Sequence, residues 1–254
     1  MTILAVAAGA AGSGDKDQHD AGRYTLSVAT DGAQVRAARR LRYRVFAEEL
    51  GAVLHGVDED IDEFDAFCDH LIIRQERTGE VVGTYRMLPP RRAAEAGRLY
   101  SENEFDLGGL ARLRDALVET GRSCVHPDHR TGAVINLMWA GIARYMHLHG
   151  YRWLGGCASV PLDDGGETAA GVWDLAERKY LPPSAWRVRP RNPWPVRPPT
   201  AKPTVPPLLK GYLRLGAWIC GAPAHDPDFG VADFYVLLSL DRVDPRYLRH
   251  FLGG

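Results

Sequence analysis

Two things are scarce in this 254-residue chain: cysteine and uninterrupted hydrophobic sequence. The four cysteines, Cys68, Cys124, Cys157 and Cys220, stand far apart and form no C-x-x-C pair. That excludes a zinc knuckle and a thioredoxin-type motif and leaves buried free thiols in a reducing cytoplasm as the expectation. No stretch approaches the run of about 18 apolar residues that a membrane-crossing helix needs. Lys and Arg are missing before Lys16, so Met1–Gly14 lacks the positive start of a secretory leader. Residues 1–22 therefore read as a flexible tail. An excess of either charge is missing as well: 31 Lys+Arg against 32 Asp+Glu leave a formal charge of −1, which excludes a globally basic nucleic-acid binder.

What is present is a globular composition, 45% apolar and 25% charged. A chain of this length buries roughly three quarters of its unfolded surface, so one large domain needs no covalent staples. Tyr24 to Thr30 alternates like a strand, Asp31-Gly32 turns the chain, and Ala33–Leu50 carries apolar residues at helical spacing. Leu71-Ile-Ile and Val81–Leu88 form a predicted hairpin through Thr78-Gly79. A short helix is expected over residues 107–116, a strand over Leu117–Val125, a long helix over Gly132–His149 and a strand over Trp153–Val160 with two glycines inside it. Another helix follows at Thr168–Tyr180, apolar periodicity resumes at Leu208–Cys220, and Phe234–Leu240 reads as a final strand. Strands and helices interleave, which predicts an α/β or α+β sheet with antiparallel hairpins and one or two crossovers.

Charge is segregated although it balances. Six of the eight residues from Asp58 to Asp65 are acidic, with Phe64 among them and Phe67 close by. Such a run is either a solvated loop or a site for a cationic ligand, and the interleaved aromatics tilt it towards a site. Between Arg178 and Arg214 stand nine basic residues and no acid, leaving 22 basic against 32 acidic residues elsewhere. Ten of the chain's 17 prolines fall within residues 182–207, with Trp186 and Trp194 between them. This much proline excludes helix and strand interiors and predicts a long extended loop. Its charge suits an acidic protein partner or an anionic membrane surface, and no nucleic-acid motif accompanies it.

The stretch His126-Pro-Asp-His-Arg-Thr-Gly-Ala-Val-Ile joins a strand end to a helix start, where free backbone N–H groups and the positive helix end favour phosphate. This strand–turn–helix resembles motif A of the GNAT N-acyltransferases, which cradles the pantetheine phosphates of an acyl donor. The usual [Arg/Gln]-x-x-Gly-x-[Gly/Ala] is altered here: Gly132 follows Arg130 by two, and Ile135 occupies the later small position. A closer resemblance is to the ornithine-lipid acyltransferases, related to the acyl-homoserine lactone synthases. It is carried by Leu41-Arg-Tyr-Arg-Val-Phe46-Ala-Glu-Glu-Leu, Asp62-Glu-Phe-Asp65, Cys68-Asp-His70, Val82-Gly-Thr-Tyr-Arg86-Met-Leu and Glu119-Thr-Gly-Arg122-Ser-Cys-Val-His-Pro. Lys210-Gly-Tyr-Leu-Arg-Leu-Gly and Asp226-Pro-Asp-Phe-Gly resemble the ornithine branch in particular.

The resemblance implies a single GNAT-like domain over residues 23–254, a twisted mixed sheet flanked by helices on both faces, with the Pro/Arg/Trp-rich loop 182–207 included. It implies transfer of a (3-hydroxy)acyl group from acyl carrier protein, with acyl-CoA a less favoured donor, to the α-amine of ornithine, making lyso-ornithine lipid. No metal or further cofactor is implied, and the location is the cytoplasm or the inner face of the membrane. Glu119 and Arg122 become the catalytic candidates. Val125, Arg130, Thr131, Gly132, Ala133 and Val134 would bind the donor's phosphopantetheine. Arg42, Phe46, Asp62, Asp65 and Arg86 would bind the amine substrate. Trp186, Arg187, Arg189, Arg191, Trp194 and Arg197 would dock the acidic carrier or an anionic membrane.

In this scheme the amine attacks the thioester directly and Glu119 accepts its proton, with backbone N–H groups near Ser123 to Val125 facing the oxyanion. An alternative for Glu119 is a structural ion pair with Arg122, and for Arg42 and Arg86 a bracing role behind the acidic loop. Rival functions are acylation of another amine, lactone synthesis, or a non-catalytic carrier- or membrane-binding module on the same fold. His126 and His129, three apart with no third ligand nearby, make a poor metal site. Cys124 lacks an evident histidine partner for nucleophilic catalysis.

Overall fold

The structure is a computed structural model and describes residues 6–7, 23–54, 56–200 and 204–252. In chain order the elements are β1 (Val6–Ala7), β2 (Tyr24–Val28), α1 (Gly32–Tyr43), β3 (Asp69–Gln75), β4 (Val81–Leu88), α2 (Pro90–Ala96), β5 (Phe105–Asp106), β6 (Leu117–Val125) and α3 (Gly132–His149). They continue as β7 (Trp153–Pro161), α4 (Glu167–Lys179), β8 (Arg189–Pro190), α5 (Pro207–Arg214), β9 (Trp218–Ile219), β10 (Ala224–Asp226), β11 (Val231–Ser239) and α6 (Pro245–Leu252). Apart from β1, the expected tail of residues 1–22 lies outside the described residues. The chain forms two compact units, one built from residues 1–87, 122–150 and 248–254, the other from residues 88–121 and 151–247.

In the first unit, β1 to β4 form an antiparallel meander, with Leu26 opposite Ile73 and Ile73 opposite Gly83. Successive strand residues point to opposite faces, and both faces are covered. Ile72 packs with Ala38, Leu41 and Val45 of α1 and with Val81 and Cys124, while Phe46 lies against the edge of that cluster. On the other face, Gly83 leaves room for Ile73 and for Met138 of α3, and Gly141 of α3 lies close over Leu26. The helix starts follow local chemistry: Asp31 Oδ1 accepts from the amides of Ala33 and Gln34 at 2.8 and 2.9 Å. The Thr131 hydroxyl accepts from Val134 N at the head of α3.

The helix expected over Ala33–Leu50 changes character midway. After Tyr43 the backbone widens into a π-helical turn over Arg44–Glu49, with Leu50 N donating to Val45 O at 3.1 Å. One residue is thereby inserted per turn, and the faces carrying Phe46 and Glu49 rotate relative to α1, a distortion often found at functional sites.

The second unit is organised on β11, whose nine residues are all buried. It pairs antiparallel with all nine residues of β7, and with β10 and β9. The start of β6 runs parallel to β7, and their ladder covers Leu117↔Trp153, Val118↔Leu154 and Glu119↔Gly155. Both edges of the proline-rich segment are pinned by backbone hydrogen bonds: Val188 N to Cys220 O at 2.9 Å, Arg191 N to Glu104 O at 2.7 Å and Trp194 N to Pro223 O at 3.0 Å. The predicted extended loop is thus extended but tied down, and β8 pairs with β5. Residues 108–116 form successive 3₁₀ turns rather than an α-helix, because Gly109 lies against the Ala185 and Arg187 carbonyls, too close for any side chain.

The two glycines inside β7 are demanded by their neighbours. A Cβ on Gly156 would sit 2.1 Å from the Thr120 carbonyl oxygen, a backbone atom that no rotamer change can move away. Gly156→Ala is therefore expected to destabilise the protein by about 2–3 kcal/mol through overpacking. The check is the midpoint of urea unfolding, and an unchanged midpoint contradicts the close approach.

Candidate active site

Arg42 is the centre of a buried ionic network in the first unit. Its side chain is fully buried on α1, and every hydrogen bond it makes goes to the acidic loop. Nε donates to Asp60 Oδ2 at 2.8 Å, Nη1 to Asp65 Oδ1 at 2.8 Å and Nη2 to Asp65 Oδ2 at 2.9 Å, while Nη2 also meets the Asp60 carbonyl. Arg42 and Asp65 therefore pair fork to fork, the strongest geometry open to these groups. Asp65 Oδ2 also accepts from Asp62 N at 3.0 Å, and Asp62 Oδ1 accepts from Phe64 N at 2.9 Å, a reciprocal cap that shapes the loop. Arg86 of β4 adds Nη1 to Asp62 Oδ1 at 2.6 Å and to Asp65 Oδ1 at 3.3 Å. Arg122 donates from Nε to Asp60 Oδ2 at 3.1 Å and places Nη2 3.6 Å from Asp62 Oδ2.

The network thus sets Arg39, Arg42, Arg86 and Arg122 against Asp60, Asp62 and Asp65, an excess of positive charge. Burial pulls the Asp65 carboxyl upward, but its Arg42 hydrogen bonds and the charges of Arg42 and Arg86 outweigh that and hold it well below the ordinary range. His70, buried beside Asp65, is likewise shifted below an ordinary histidine, down to about 4: burial disfavours its charged form, and Arg42 and Arg86 add to that against the opposing pull of Asp65. Arg122 also adopts φ +52°, a left-handed conformation rare for a long side chain and characteristic of constrained functional positions.

The phosphate-binding candidates form one surface at the head of α3. Thr131, Gly132 and Ala133 are exposed, Val134 is buried beneath them, and nothing would obstruct a Cβ at Gly132. The amides of Gly132 and Ala133 lie in the first turn of this 18-residue helix, where backbone N–H groups have no intrahelical partner, whereas Thr131 N donates to His129 O at 2.7 Å and Val134 N to the Thr131 hydroxyl. Arg130 beside them is engaged: Nη1 and Nη2 donate to the two oxygens of Glu49 at 2.7 and 2.6 Å, and Nε donates to Val125 O at 3.2 Å. Cys124, behind this loop, is pushed up to about 12 by burial, which keeps it a neutral thiol. His129 pairs with the Tyr24 hydroxyl at 2.9 Å.

In the second unit Glu119 is buried on β6. Its carboxylate accepts from the amides of Tyr100 and Ser101 at 2.6 and 2.9 Å, holding the Tyr100–Asn103 turn over the strand. Of the docking candidates, Arg187, Arg189, Arg191 and Arg197 are exposed. The indoles are half-buried: Trp186 lies edge-on to Trp153 and Trp218 at 5.1 and 5.3 Å between centroids, and Trp194 lies over His225 at 5.0 Å. Arg191 Nε donates to Glu102 O at 2.8 Å.

One cluster has no counterpart in the sequence reading. Ligand atoms of Glu104, Asp226 and Asp233 lie within 4.8 Å of one another, and Ser159 Oγ donates to Asp233 Oδ1 at 2.6 Å. The residues come from three separate elements, so no spacing could reveal them. Burial, with the charges of Asp233 and Asp226, pushes the Glu104 carboxyl up to about 10. Its proton is therefore retained at neutral pH.

Two outcomes follow from these networks. Arg42→Met should cost about 3–5 kcal/mol, since it strands two buried carboxylates; urea unfolding measures it, and a loss under 1 kcal/mol contradicts the brace. Glu104 has a folded pKa raised above the 4.5 of a free carboxyl, so its contribution to stability is complete below that value and is lost as pH rises towards 10. Glu104→Gln, which mimics the protonated form, should flatten the fall in melting temperature between pH 5 and pH 9, and an unaltered slope would refute the shift.

Comparison with known proteins places this geometry. Residues 41–140 match the family model described as an acetyltransferase (GNAT) domain. Over 243 residues the chain is 35% identical to an L-ornithine N(alpha)-acyltransferase of Rhodobacter capsulatus, covering 88% of this chain and 93% of that protein. It is 32% identical over 253 residues to the protein of the same name from Brucella abortus, covering 91% and 89%. Among solved structures, the fold is similar to FeeM, an N-acyl amino acid synthase from uncultured soil microbes, with a TM-score of 0.55 and 12% identity over 90% of this chain and 94% of that one. It is also similar to the acyl-homoserine lactone synthase LasI, with a TM-score of 0.54 and 15% identity over 92% and 96%. These two likenesses are of fold alone, and they agree with the mixed α/β arrangement of strands and helices seen here. The curated relatives match at close to nine-tenths of both partners, so the chain is an acyltransferase and belongs to the L-ornithine N(alpha)-acyltransferase family of GNAT-fold enzymes.

Proposed function

We propose that this enzyme moves a 3-hydroxyacyl group from acyl carrier protein to the α-amine of ornithine, making lyso-ornithine lipid. The observation that carries the acceptor is the 35% identity to the Rhodobacter capsulatus protein across 88% of the chain. The donor is argued from charge. Acyl carrier protein is acidic and presents a single pantetheine phosphate, and the first-turn amides of the exposed Gly132 and Ala133 at the positive end of α3 suit one phosphate. The exposed Arg187, Arg189, Arg191 and Arg197 suit the acidic carrier body or an anionic leaflet. Among the described residues no helix is long and apolar enough to cross a membrane.

The chemistry is direct aminolysis. The neutral amine attacks the thioester carbonyl, the C–N bond forms, and the tetrahedral oxyanion collapses with cleavage of the C–S bond, releasing the pantetheine thiol. The amine must first lose the proton of its ammonium form, and Glu119 is the proposed acceptor of that proton. An acyl-enzyme on Cys124 is disfavoured, because a thiol shifted to about 12 is a poor nucleophile at neutral pH. Amides near Ser123 to Val125 are proposed to face the oxyanion.

For the amine substrate, Asp62 is the acid that supports a contact: its side chain is a fifth exposed, while its Oδ2 lies buried 3.6 Å from Arg122 Nη2 and accepts no hydrogen bond among the described residues. Arg42 and Asp65 are saturated by each other, and their proposed part is to hold Arg86 and Asp62 in place. Phe46 is proposed to set the edge of that pocket from the π-helical turn.

The test is a reconstituted reaction with 3-hydroxyacyl carrier protein, the matching acyl-CoA and ornithine. Acyl-ornithine should form from the carrier-bound donor in preference to the CoA donor. Glu119→Gln should lower kcat by about 10²-fold or more, and Arg130→Ala should raise KM for the donor. Transfer to other amines but not ornithine would overturn the acceptor assignment.

A further inference from the structure

The mechanism leaves one buried titratable group on the Glu119 face of the second unit without an assignment. Tyr235 of β11 is fully buried, and its hydroxyl has no hydrogen-bond partner among the described residues. A buried hydroxyl without a partner is costly to keep. A phenylalanine would fill the same volume without that cost.

Register fixes where this hydroxyl lies. Tyr235 is opposite Cys157 on β7, and its ring reaches diagonally across β7 so that Oη comes within 2.5 Å of the position a Cβ on Gly155 would occupy. Gly155 is in turn the register partner of Glu119 on β6. Side chains of register partners share a face, and neighbouring strands lie about 4.8 Å apart. The Tyr235 hydroxyl therefore sits one strand spacing from the root of the Glu119 side chain, on the same face. The absence of a side chain at Gly155 is what lets the phenol cross. Any larger residue there would close the path, since Leu117 Cδ1 also lies 3.2 Å from that Cβ position.

We propose that Tyr235 is a positioning residue for Glu119: its hydroxyl orients the carboxylate as it accepts the proton of the attacking amine. The inference rests on the reading of Glu119 as the proton acceptor. The Tyr100 and Ser101 amides hold the carboxylate from the covering turn. Tyr235 approaches from the sheet, so the carboxylate is framed from two sides. In the step itself the proton passes from the substrate ammonium to Glu119, and Tyr235 keeps its own. Burial and the neighbouring Glu119 charge shift the phenol well above the ordinary tyrosine value, so it remains a donor at any working pH and cannot replace Glu119 as the base. The titratable and charged groups facing it are Glu119 from β6, Cys157 from β7, Cys220 just after β9 and Arg114 from the 3₁₀ segment Gly108–Ala116. Burial holds both thiols neutral, which leaves Glu119 as the anionic acceptor among them.

Tyr235→Phe removes one oxygen atom and tests this in the full-length enzyme. Because no protein hydrogen bond is lost, the melting temperature should stay level or rise. The kcat should fall about tenfold with KM for both substrates within about twofold, and the acidic limb of the kcat profile, which reports the substrate complex in which the hydroxyl meets the carboxylate, should move up by about one pH unit, as a carboxylate that loses a donor becomes harder to ionise. A second readout is independent of turnover. With ring-labelled tyrosine, the NMR signal absent from Tyr235→Phe identifies Tyr235, and that signal should shift in Glu119→Gln. An active wild-type enzyme whose Tyr235→Phe variant keeps kcat and pH profile overturns the inference, as does a Tyr235 signal indifferent to Glu119→Gln. A wild-type enzyme that acylates no ornithine instead removes the functional reading, and the NMR comparison still decides whether the two side chains interact.

Discussion

A guanidinium with no access to water organises the first unit. Arg42 can be buried only because Asp60 and Asp65 neutralise it and absorb its hydrogen bonds. Taking such charges out of water costs several kcal/mol per ion, repaid only when geometry and remaining hydrogen bonds are nearly complete. That demand dictates the acidic loop. Asp65 must face α1, which puts its second oxygen on the Asp62 amide and turns the chain at Asp62. Asp62 then receives Arg86, and Asp60 receives Arg122, whose backbone is held in a left-handed conformation. Arg39, Arg42, Arg86 and Arg122 thus offset the buried charge of Asp60, Asp62 and Asp65, so the inner side of an acidic loop is not itself a reservoir of negative charge.

Electrostatics also bear on the proposed direct attack. The cysteines whose shifts are resolved are raised by burial, so none offers a thiolate. In the proposed reading the donor's phosphate meets first-turn amides at the head of α3. Arg130 is shared with Glu49, so a phosphate arriving there competes with a carboxylate already in place.

Much of this was readable in the residues, and the reasons are local. Asp31 before a helical pattern, Thr131-Gly132 before an apolar one, and Thr78-Gly79 between two β-branched runs carry their structure within a few positions, and each element appeared where expected. The acidic run and the Glu-x-x-Arg strand were visible as motifs, but their partners were not. Pairing of Arg42 with Asp65, or of Glu119 with the Tyr100 and Ser101 amides, depends on folding over tens of residues. The π-helical turn after Tyr43 has no signature in periodicity, since the apolar spacing continues through it. The Glu104, Asp226 and Asp233 cluster and the Tyr235–Gly155 crossing join positions up to 129 residues apart. Proline content marked residues 182–207 as an extended loop, and residues 187–200 do run without a helical turn, yet composition could not show the 3₁₀ turn at Ser184–Trp186, that Val188, Arg191 and Trp194 are tied to neighbouring backbone, or that the two tryptophans pack inward.

The central claim is that this chain makes an amide between a fatty acyl group and ornithine. The most direct measurement is mass spectrometry of lipid extracts from a host that lacks ornithine lipids and expresses the chain. Acyl transfer to ornithine predicts a new species whose fragmentation gives ornithine joined through its α-nitrogen to a 3-hydroxyacyl chain. Folded, abundant protein with no such lipid, or with the acyl group on a different amine, would contradict it.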